Sequence, residues 1–232
     1  TTAPGYYFEP RFSPDGRTIV YRKGSGNPLL GTLHSTDTGI WLMAADGSAA
    51  RKLRDGGSDA RFDATGDRIW FRTGGGLTKQ VRSVDRNNAH ERTVFEARYP
   101  VEIVPSPDGR WVAWTELFDV YVAPLPRTGG PLSLSKDMQG VPVQRLTRDA
   151  GTDLHWSADS GTLHWMFGPE YFSRDLERTF AFLEGAPAEI PPPDTVGVPV
   201  GLTVDADAPQ GVTALTNARI VTMEGDEVIE HG

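Results

Sequence analysis

The sequence predicts an all-β protein built of β-propeller blades, about four of them, each a four-stranded antiparallel sheet. Three observations support this fold class. A turn of the Ser-Pro-Asp-Gly type recurs at intervals of about 40 to 50 residues, which is the spacing of repeat architectures. β-Branched and aromatic residues follow each turn, as in half-buried strands. The 26 glycines and 18 prolines among 232 residues fit a turn-dense chain without long helices.

The first half of each repeat is predicted to be a β-hairpin. In its turn, proline presets φ, aspartate bonds the downstream backbone and glycine accepts a positive φ. The turns occupy residues 12–17, 62–67, 105–110 and 156–161, and their glycines are Gly16, Gly66, Gly109 and Gly161. The residues on either side of each turn are the first and second strands of a blade.

The second half of each repeat supplies a third and a fourth strand, so that each repeat makes one blade. Blade one is predicted to end near Gly56, blade two near Pro100 and blade three near Gly151. Blade three contains a polar insertion, residues 127–143, which is a candidate partner loop. Blade four begins at Thr152 and loses the repeat pattern after Trp165. The segment before the first turn matches the one that leads into blade four, so further blades are expected elsewhere.

Bulk composition excludes several function classes. The net charge is −8 and the basic residues form no stripe, so we expect no nucleic-acid partner. No apolar run approaches the roughly 18 residues that span a bilayer, so no membrane span is expected. The chain has no cysteine and no visible signal peptide, which is compatible with the cytoplasm or the periplasm.

A proline-dense segment is predicted to divide the chain. Residues 186–200 are expected to be a linker outside any sheet, because proline cannot donate to a strand ladder. It would separate a propeller segment, residues 1–185, from a second domain, residues 201–232. That second domain has strand-like segments at 200–204, 214–223 and 227–230, too few to bury a face alone.

The hairpins, together with Ile40-Trp41-Leu42 and Asp46-Gly47, resemble the WD40-like repeats of TolB-type and tricorn-type propellers. The resemblance covers roughly residues 1 to 184. It implies a periplasmic or secreted protein, with the cytoplasm left open. A stand-alone protein-binding propeller is one alternative function. The same repeat occurs in prolyl-oligopeptidase-like enzymes, so the regulatory propeller of a serine peptidase is another.

The end of the chain resembles a different family. Residues 215–223 and 226–232 are similar to the opening strands of the small β-sandwich of metal-dependent amidohydrolases. This resemblance implies a hydrolase of non-peptide or peptide-like C–N bonds, in which Zn²⁺ or another divalent metal activates water. The propeller would then serve in substrate access or assembly. The barrel and the remaining blades are the expected partners, in cis or as a second chain, and a homo-oligomer is a further alternative.

No catalytic or metal residue of that family can be assigned to this chain. The family's His-x-His motif is absent from the sequence, whose histidines are His34, His90, His155, His164 and His231. We therefore expect no cofactor in the chain and no activity from it alone. His155 and His164 flank the fourth turn, but two histidines do not by themselves predict a metal site.

A register of charged residues gives the candidate binding site. Three positions before each turn stand Glu9, Asp59, Glu102 and Asp153, and one position before it stand Arg11, Arg61, Val104 and His155. With the period of two of a strand, these residues share one face. On the innermost strands they would collect four carboxylates near one mouth of the channel. The site would bind a cation or dock a partner; the alternative, which we favour, is ordinary hydrogen bonds and salt bridges.

Overall fold

The computed structural model describes residues 5–24, 37–126, 129–201, 203–204, 211–212, 214 and 216–232. The chain divides into two compact units, Thr1–Val200 and Gly201–Gly232. The described residues form strands, turns and loops, and no helix. Nothing in this part of the chain could therefore cross a membrane as a helix. The predicted all-β class is confirmed.

The first unit is a four-blade β-propeller segment, as predicted. Each blade is a separate sheet whose successive strands pair antiparallel. Blade one contains β1 (Tyr6–Phe12), β2 (Thr18–Gly24), β3 (Gly39–Ala44) and β4 (Arg51–Arg54), and blade two β5 (Ser58–Phe62), β6 (Arg68–Thr73), β7 (Thr78–Asp85) and β8 (Arg92–Arg98). Blade three contains β9 (Ile103–Pro105), β10 (Trp111–Glu116), β11 (Asp119–Pro124) and β13 (Gln144–Arg145), and blade four β14 (Thr152–Trp156), β15 (Thr162–Phe167), β16 (Glu170–Asp175) and β17 (Val198–Pro199).

The Ser-Pro-Asp-Gly turns are closed by their own side chains. The Ser13 hydroxyl donates to Asp15 Oδ1 at 2.6 Å and accepts the Thr18 N–H at 2.9 Å. The same two bonds recur in the turns that begin at Ser106 and Ser157. The serine bond also lowers the pKa of the Asp15 carboxyl, since it favours the ionised form. The predicted turn chemistry therefore holds at the level of single bonds.

The fourth turn differs from the prediction at its glycine. Ser160, with φ of 63°, takes the left-handed position that Gly16 takes in the first turn, and Gly161 follows it. The Ser160 hydroxyl accepts the N–H of Asp108, in the turn of blade three, at 3.0 Å. A serine is tolerated here because its hydroxyl supplies a bond between blades that glycine could not make.

Neighbouring blades pack through three apolar cores. Blades one and two share a core that includes Val20, Ile40, Leu42, Ile69 and Phe71. The cores between the later blades include Phe95, Val112 and Trp114, and then Val122, Leu163 and Trp165. Successive side chains of a strand point to opposite faces of the sheet, so odd and even residues of the second strand of a blade face different neighbouring blades.

The insertion of blade three braces blade two. Within its described residues, β12 (Leu132–Leu134) pairs with β8 in parallel and gives blade two a fifth strand. Leu134 is 3% exposed and packs in the core of Phe95 and Trp114. This segment is thus a structural connection between two blades, which its polar sequence concealed.

Blade four departs from the sequence expectation in its second half. β16 pairs with β15 along its whole length, and the fourth strand is Val198–Pro199, from the end of the predicted linker. The prediction that the proline-dense segment lies outside any sheet is therefore wrong for these residues. Proline is tolerated on this edge strand, where an N–H need not join a ladder.

The buried Arg174 holds the rest of the proline-dense segment against blade four. Its guanidinium donates to the carbonyls of Pro191 and Pro192, and it forms an ion pair with Asp194 at 3.4 Å. Residues 186–200 accordingly fall within the first compact unit.

The second unit contains one antiparallel hairpin among its described residues. β18 (Ile220–Val221) pairs with β19 (Val228–Ile229). The described residues of the strand expected at 200–204 are not in strand conformation, and several residues of the expected strands, Leu215 among them, lie outside the described residues. The assignment of this unit to a β-sandwich stays a prediction.

Candidate functional site

Three of the four acidic candidates lie at bulges of first strands. Glu9, Asp59 and Asp153 have positive φ values of 53°, 51° and 57°. The strand register shifts at each of these positions. A left-handed conformation costs a non-glycine residue of the order of 1 to 3 kcal/mol, so neighbouring contacts must stabilise it. A bulge also redirects the side chain relative to regular alternation.

The carboxylates of blades one and three bind the backbone of the following blade. Glu9 Oε2 accepts the N–H of Asp59 at 2.6 Å. In the same way, Glu102 accepts the N–H groups of Asp153 at 2.7 Å and Leu154 at 3.0 Å. Glu9 is thus bonded to the bulge at Asp59, and Glu102 to the bulge at Asp153. These hydrogen bonds therefore link blade one to blade two and blade three to blade four.

The basic candidates divide between paired and unpaired. Arg61 Nη2 contacts Asp59 Oδ1 at 2.7 Å, so these two side chains form an ion pair within blade two. Arg11 is exposed and, within the described part of the chain, forms no ion pair. The cation beside Glu9 is instead Arg22, at 4.0 Å.

Glu102 is the electrostatically unusual member of the register. Burial raises the pKa of its carboxyl, the backbone N–H bonds from Asp153 and Leu154 oppose that shift, and the nearby carboxylates of Asp153 and Asp59 add to it. Three blades thus bring Asp59, Glu102 and Asp153 close enough to interact. Nevertheless, no group of three or more His, Cys, Asp or Glu side chains among the described residues is arranged to hold a metal. A cation or docking role for the register stays a prediction.

His155 belongs to an aromatic cluster that sequence reasoning missed. Its ring stacks on that of His164, with centroids 4.9 Å apart and planes inclined by 18°. Tyr171 continues the stack and its hydroxyl lies 2.7 Å from His164 Nδ1. Burial and the neighbouring His155 lower the pKa of His164. The signal was present in the sequence, since hairpin register about the fourth turn places the two histidines opposite each other.

A cavity of about 630 Å³ opens between blades three and four, on the side of the turns. Its lining includes Trp111 and Phe182, whose rings stack with centroids 6.5 Å apart. Asp175, Glu177 and Glu184 also line it. No sequence motif indicated this cavity, because its walls come from separate segments.

Comparisons with known proteins found matches to solved structures alone. No family model and no curated protein matches the chain. A solved nidogen/laminin complex has a TM-score of 0.50 and 12% identity, over 74% of this chain and 61% of that one. TolB from Acinetobacter baumannii has a TM-score of 0.48 and 19% identity, over 74% of this chain and 40% of that one.

The β-propeller domain of the Trilobed protease from Pyrococcus furiosus has a TM-score of 0.44 and 12% identity, over 73% of this chain and 53% of that one. The chain therefore spans between 40% and 61% of the length of these three structures. At such identities, similarity shows the fold alone. The chain is a four-blade propeller segment that has TolB-like propellers among its structural neighbours.

Proposed function

We propose that this chain is the propeller portion of a multidomain, metal-dependent amidohydrolase, in which the propeller serves in assembly or substrate access. The observation that carries the proposal is the β18–β19 hairpin, whose residues resemble the first strands of that family's β-sandwich. All four of its strand residues are at least 40% exposed, and Val221 is 58% exposed. A two-stranded hairpin is marginal in water, so this apolar surface is suited to further strands.

The catalytic metal belongs to the rest of the protein in this proposal. The described residues contain no cluster of three ligands, so they do not fit the metal centre of the family, and no catalytic step is assigned to them. The barrel and the remaining blades are the proposed partners, in cis or as a second chain. A periplasmic or secreted location is proposed with them.

A stand-alone, protein-binding propeller is the second candidate. A specific observation favours it: Tyr6 and Phe8 are 52% and 42% exposed on β1, and their rings stack at 6.2 Å. Exposed aromatic side chains are enriched where proteins bind one another.

The first experiment is mass spectrometry of the native protein purified from its source, with zinc analysis and hydrolysis of a panel of cyclic amides, N-acyl amino acids and dipeptides. The expected result is a barrel, on the same or a second polypeptide, with bound zinc and chelator-sensitive hydrolysis. A sole polypeptide with the mass of these 232 residues and no hydrolysis would overturn the proposal and favour the binding propeller.

A pair of variants tests the hairpin in that native protein. Ile229→Lys places a charge in the exposed apolar strand, and we expect it to lower amide hydrolysis at least tenfold by disrupting the sandwich. Glu224→Lys, in the exposed hairpin turn, is the matched control and should leave activity unchanged. Equal activity of the two variants would contradict a sandwich at this hairpin.

A further inference from the structure

We propose that the cavity between blades three and four binds an organic cation, in which an ammonium or guanidinium group is joined to an apolar body. The volume of the cavity, about 630 Å³, is within the range of about 300 to 1,000 Å³ that is usual for small-molecule sites. Its lining combines an aromatic wall with a rim of carboxylates. None of the lining residues belongs to the hairpin on which the amidohydrolase proposal rests.

The cavity lies at the turn end of the interface between two blades that the chain itself supplies. Trp111 and Leu176 line it and also belong to the apolar core between blades three and four. Ser160 and Thr162 line it from the turn of blade four. Further blades would continue the propeller from the opposite face of blade four, so they would not fill this cavity.

The wall on the side of blade four comes from a long connection. The third and fourth strands of this blade are separated by residues 176–197, whereas those of blade one are separated by residues 45–50. The Leu176 N–H donates to the Gly161 carbonyl at 2.9 Å, and the Phe180 N–H donates to the Leu176 carbonyl at 2.9 Å. These bonds tie the start of the connection to the turn of blade four and give the cavity a fixed wall.

An aromatic cluster supplies the apolar side of the cavity. Phe180 is buried, and the centroid of its ring lies 5.1 Å from that of Trp111. The Phe182 ring is nearly parallel to that of Trp111, at 14°, yet Phe182 is 60% exposed. Part of its ring surface is therefore open to a ligand. Because the face of an aromatic ring attracts cations, this wall suits a cation with an apolar body.

The rim of the cavity has an excess of negative charge. Four carboxylates line it, those of Asp159, Asp175, Glu177 and Glu184. In the part of the chain that the structure describes, none of these four forms an ion pair. Among the described lining residues Arg110 is the one cation, and its Nε contacts Asp108 Oδ2 at 2.6 Å. A bound cation would balance the remaining negative charge.

Local contacts hold two of these carboxylates in place. Asp175 Oδ1 accepts the hydroxyl of Thr162 at 2.8 Å. The carboxylate of Glu177 lies against Gly185, which has a φ of 86°. A Cβ atom at Gly185 would come within 2.9 Å of Glu177 Oε2, so glycine leaves the space that the carboxylate occupies. Groups that are positioned before a ligand arrives lower the entropic cost of binding.

Together the two features specify the class of ligand. No three acidic or histidine side chains of the described residues are arranged to hold a metal ion. An ammonium or guanidinium group donates several hydrogen bonds to carboxylates, and an alkyl or aryl body covers the ring of Phe182. Free organic amines and the basic side chains of polypeptides share this chemistry.

The test is calorimetric titration of the full chain with phenethylamine and with the peptide acetyl-Phe-Arg-amide. Their neutral analogues, phenethyl alcohol and acetyl-Phe-citrulline-amide, are the ligand controls. We expect one binding site per chain for the cations and an affinity about tenfold lower, or less, for the neutral analogues. Binding of either cation supports the proposal, and the tighter of the two identifies the source of the ligand. Added salt should weaken binding, because salt screens charges at solvent-exposed sites.

Variants at exposed positions of the rim locate the binding. Phe182→Ala, and the double variant Glu177→Gln with Glu184→Gln, should each weaken the binding of the cations about fivefold or more. Phe167→Ala and Glu189→Gln remove an exposed ring and an exposed carboxylate outside the cavity. These matched controls should leave the affinity unchanged.

Three results would overturn the proposal. The first is the absence of binding by both cations. The second is equal affinity for the cations and their neutral analogues. The third is binding that the rim variants leave unchanged, or that the control variants weaken equally.

Discussion

Removal of the Glu102 carboxylate tests the interblade bonds directly. Glu102 accepts the N–H of Asp153 at 2.7 Å and that of Leu154 at 3.0 Å, and Leu154 is buried. In Glu102→Ala, both donors lose a charged acceptor. A hydrogen bond to a charged group contributes about 1.5 to 3 kcal/mol, and partial access of water places this site near the lower end. We expect Glu102→Ala to lower the free energy of unfolding by about 2 to 4 kcal/mol.

Equilibrium unfolding in urea provides the assay. Glu102→Gln keeps an acceptor oxygen without the charge, and we expect it to lose less than half as much stability as Glu102→Ala. Asp149→Ala removes an exposed carboxylate four residues before Asp153 and should change stability by no more than about 0.5 kcal/mol. The slope of the transition should stay constant, which identifies a change in stability. If Glu102→Ala and Asp149→Ala have the same midpoint, the interblade bonds do not stabilise the propeller.

The pH dependence of the same variants has a definite sign. Burial raises the pKa of Glu102 above its ordinary value, so the folded state favours the protonated carboxyl more than the unfolded chain does. This contribution is fully present below the unfolded pKa and is lost as pH rises through the folded pKa. The stability of the wild type relative to Glu102→Gln should therefore be greater at pH 4 than at pH 7. A difference that grows toward pH 7 would refute the reasoning.

Three further predictions follow from single side chains. Ser160→Ala keeps the positive φ and loses the hydrogen bond to the turn of blade three, so it should lower the free energy of unfolding in urea by about 1 to 2 kcal/mol. Ser160→Gly loses the same bond but relieves the strain of the positive φ, so it should lower that free energy by less than about 0.5 kcal/mol. Equal losses in the two variants would contradict this account. The hydrogen bond from His90 is the largest cause that lowers the pKa of Asp85 to about 2, so an NMR titration of the carboxyl groups should give that pKa and His90→Ala should raise it. Asp85 therefore stabilises the folded state above the ordinary pKa of an aspartate, and this contribution is lost as the pH falls toward 2. Arg174→Met removes the hydrogen bonds to the carbonyls of Pro191 and Pro192, so it should speed proteolysis of the proline-dense segment at least tenfold. The control is Arg178→Met, at an exposed position. Equal rates of proteolysis in the two variants would show that Arg174 does not hold the segment.

Local chemistry made most of the fold predictable. The turn that begins at Ser13 is specified by residues within five positions of one another, and its bonds recur in later blades. By contrast, β12 joins blade two through a parallel pairing with residues 37 positions earlier in the chain, and no local pattern encodes such a contact. The fourth strand of blade four is equally non-local, since it follows a long segment that local rules assign to a linker.

Counting residues back from each turn predicted which residues form the candidate site, but not their backbone conformation. Counting back from each turn identified Glu9, Asp59, Glu102 and Asp153 as one set, and Glu9, Asp59 and Asp153 occupy equivalent bulges. Counting cannot detect the left-handed residue in each bulge, which redirects the side chain and exposes a backbone N–H to the preceding blade. The same arrangement thus occurs twice: the carboxylate of Glu9 or Glu102 accepts the N–H of a residue with positive φ in the following blade and stabilises that conformation.

Blade four differs from the other blades at the position of His164. Leu163 and Trp165 pack in the core between blades three and four, as Ile69 and Phe71 pack in the core between blades one and two. His164 lies between Leu163 and Trp165 in sequence, at a position that packs in an apolar core in each earlier blade. Burial of an imidazole without a partner costs solvation, and His164 has two partners, the stacked ring of His155 and the hydroxyl of Tyr171. The hairpin register that aligns core residues in the earlier blades therefore aligns two stacked imidazoles in blade four.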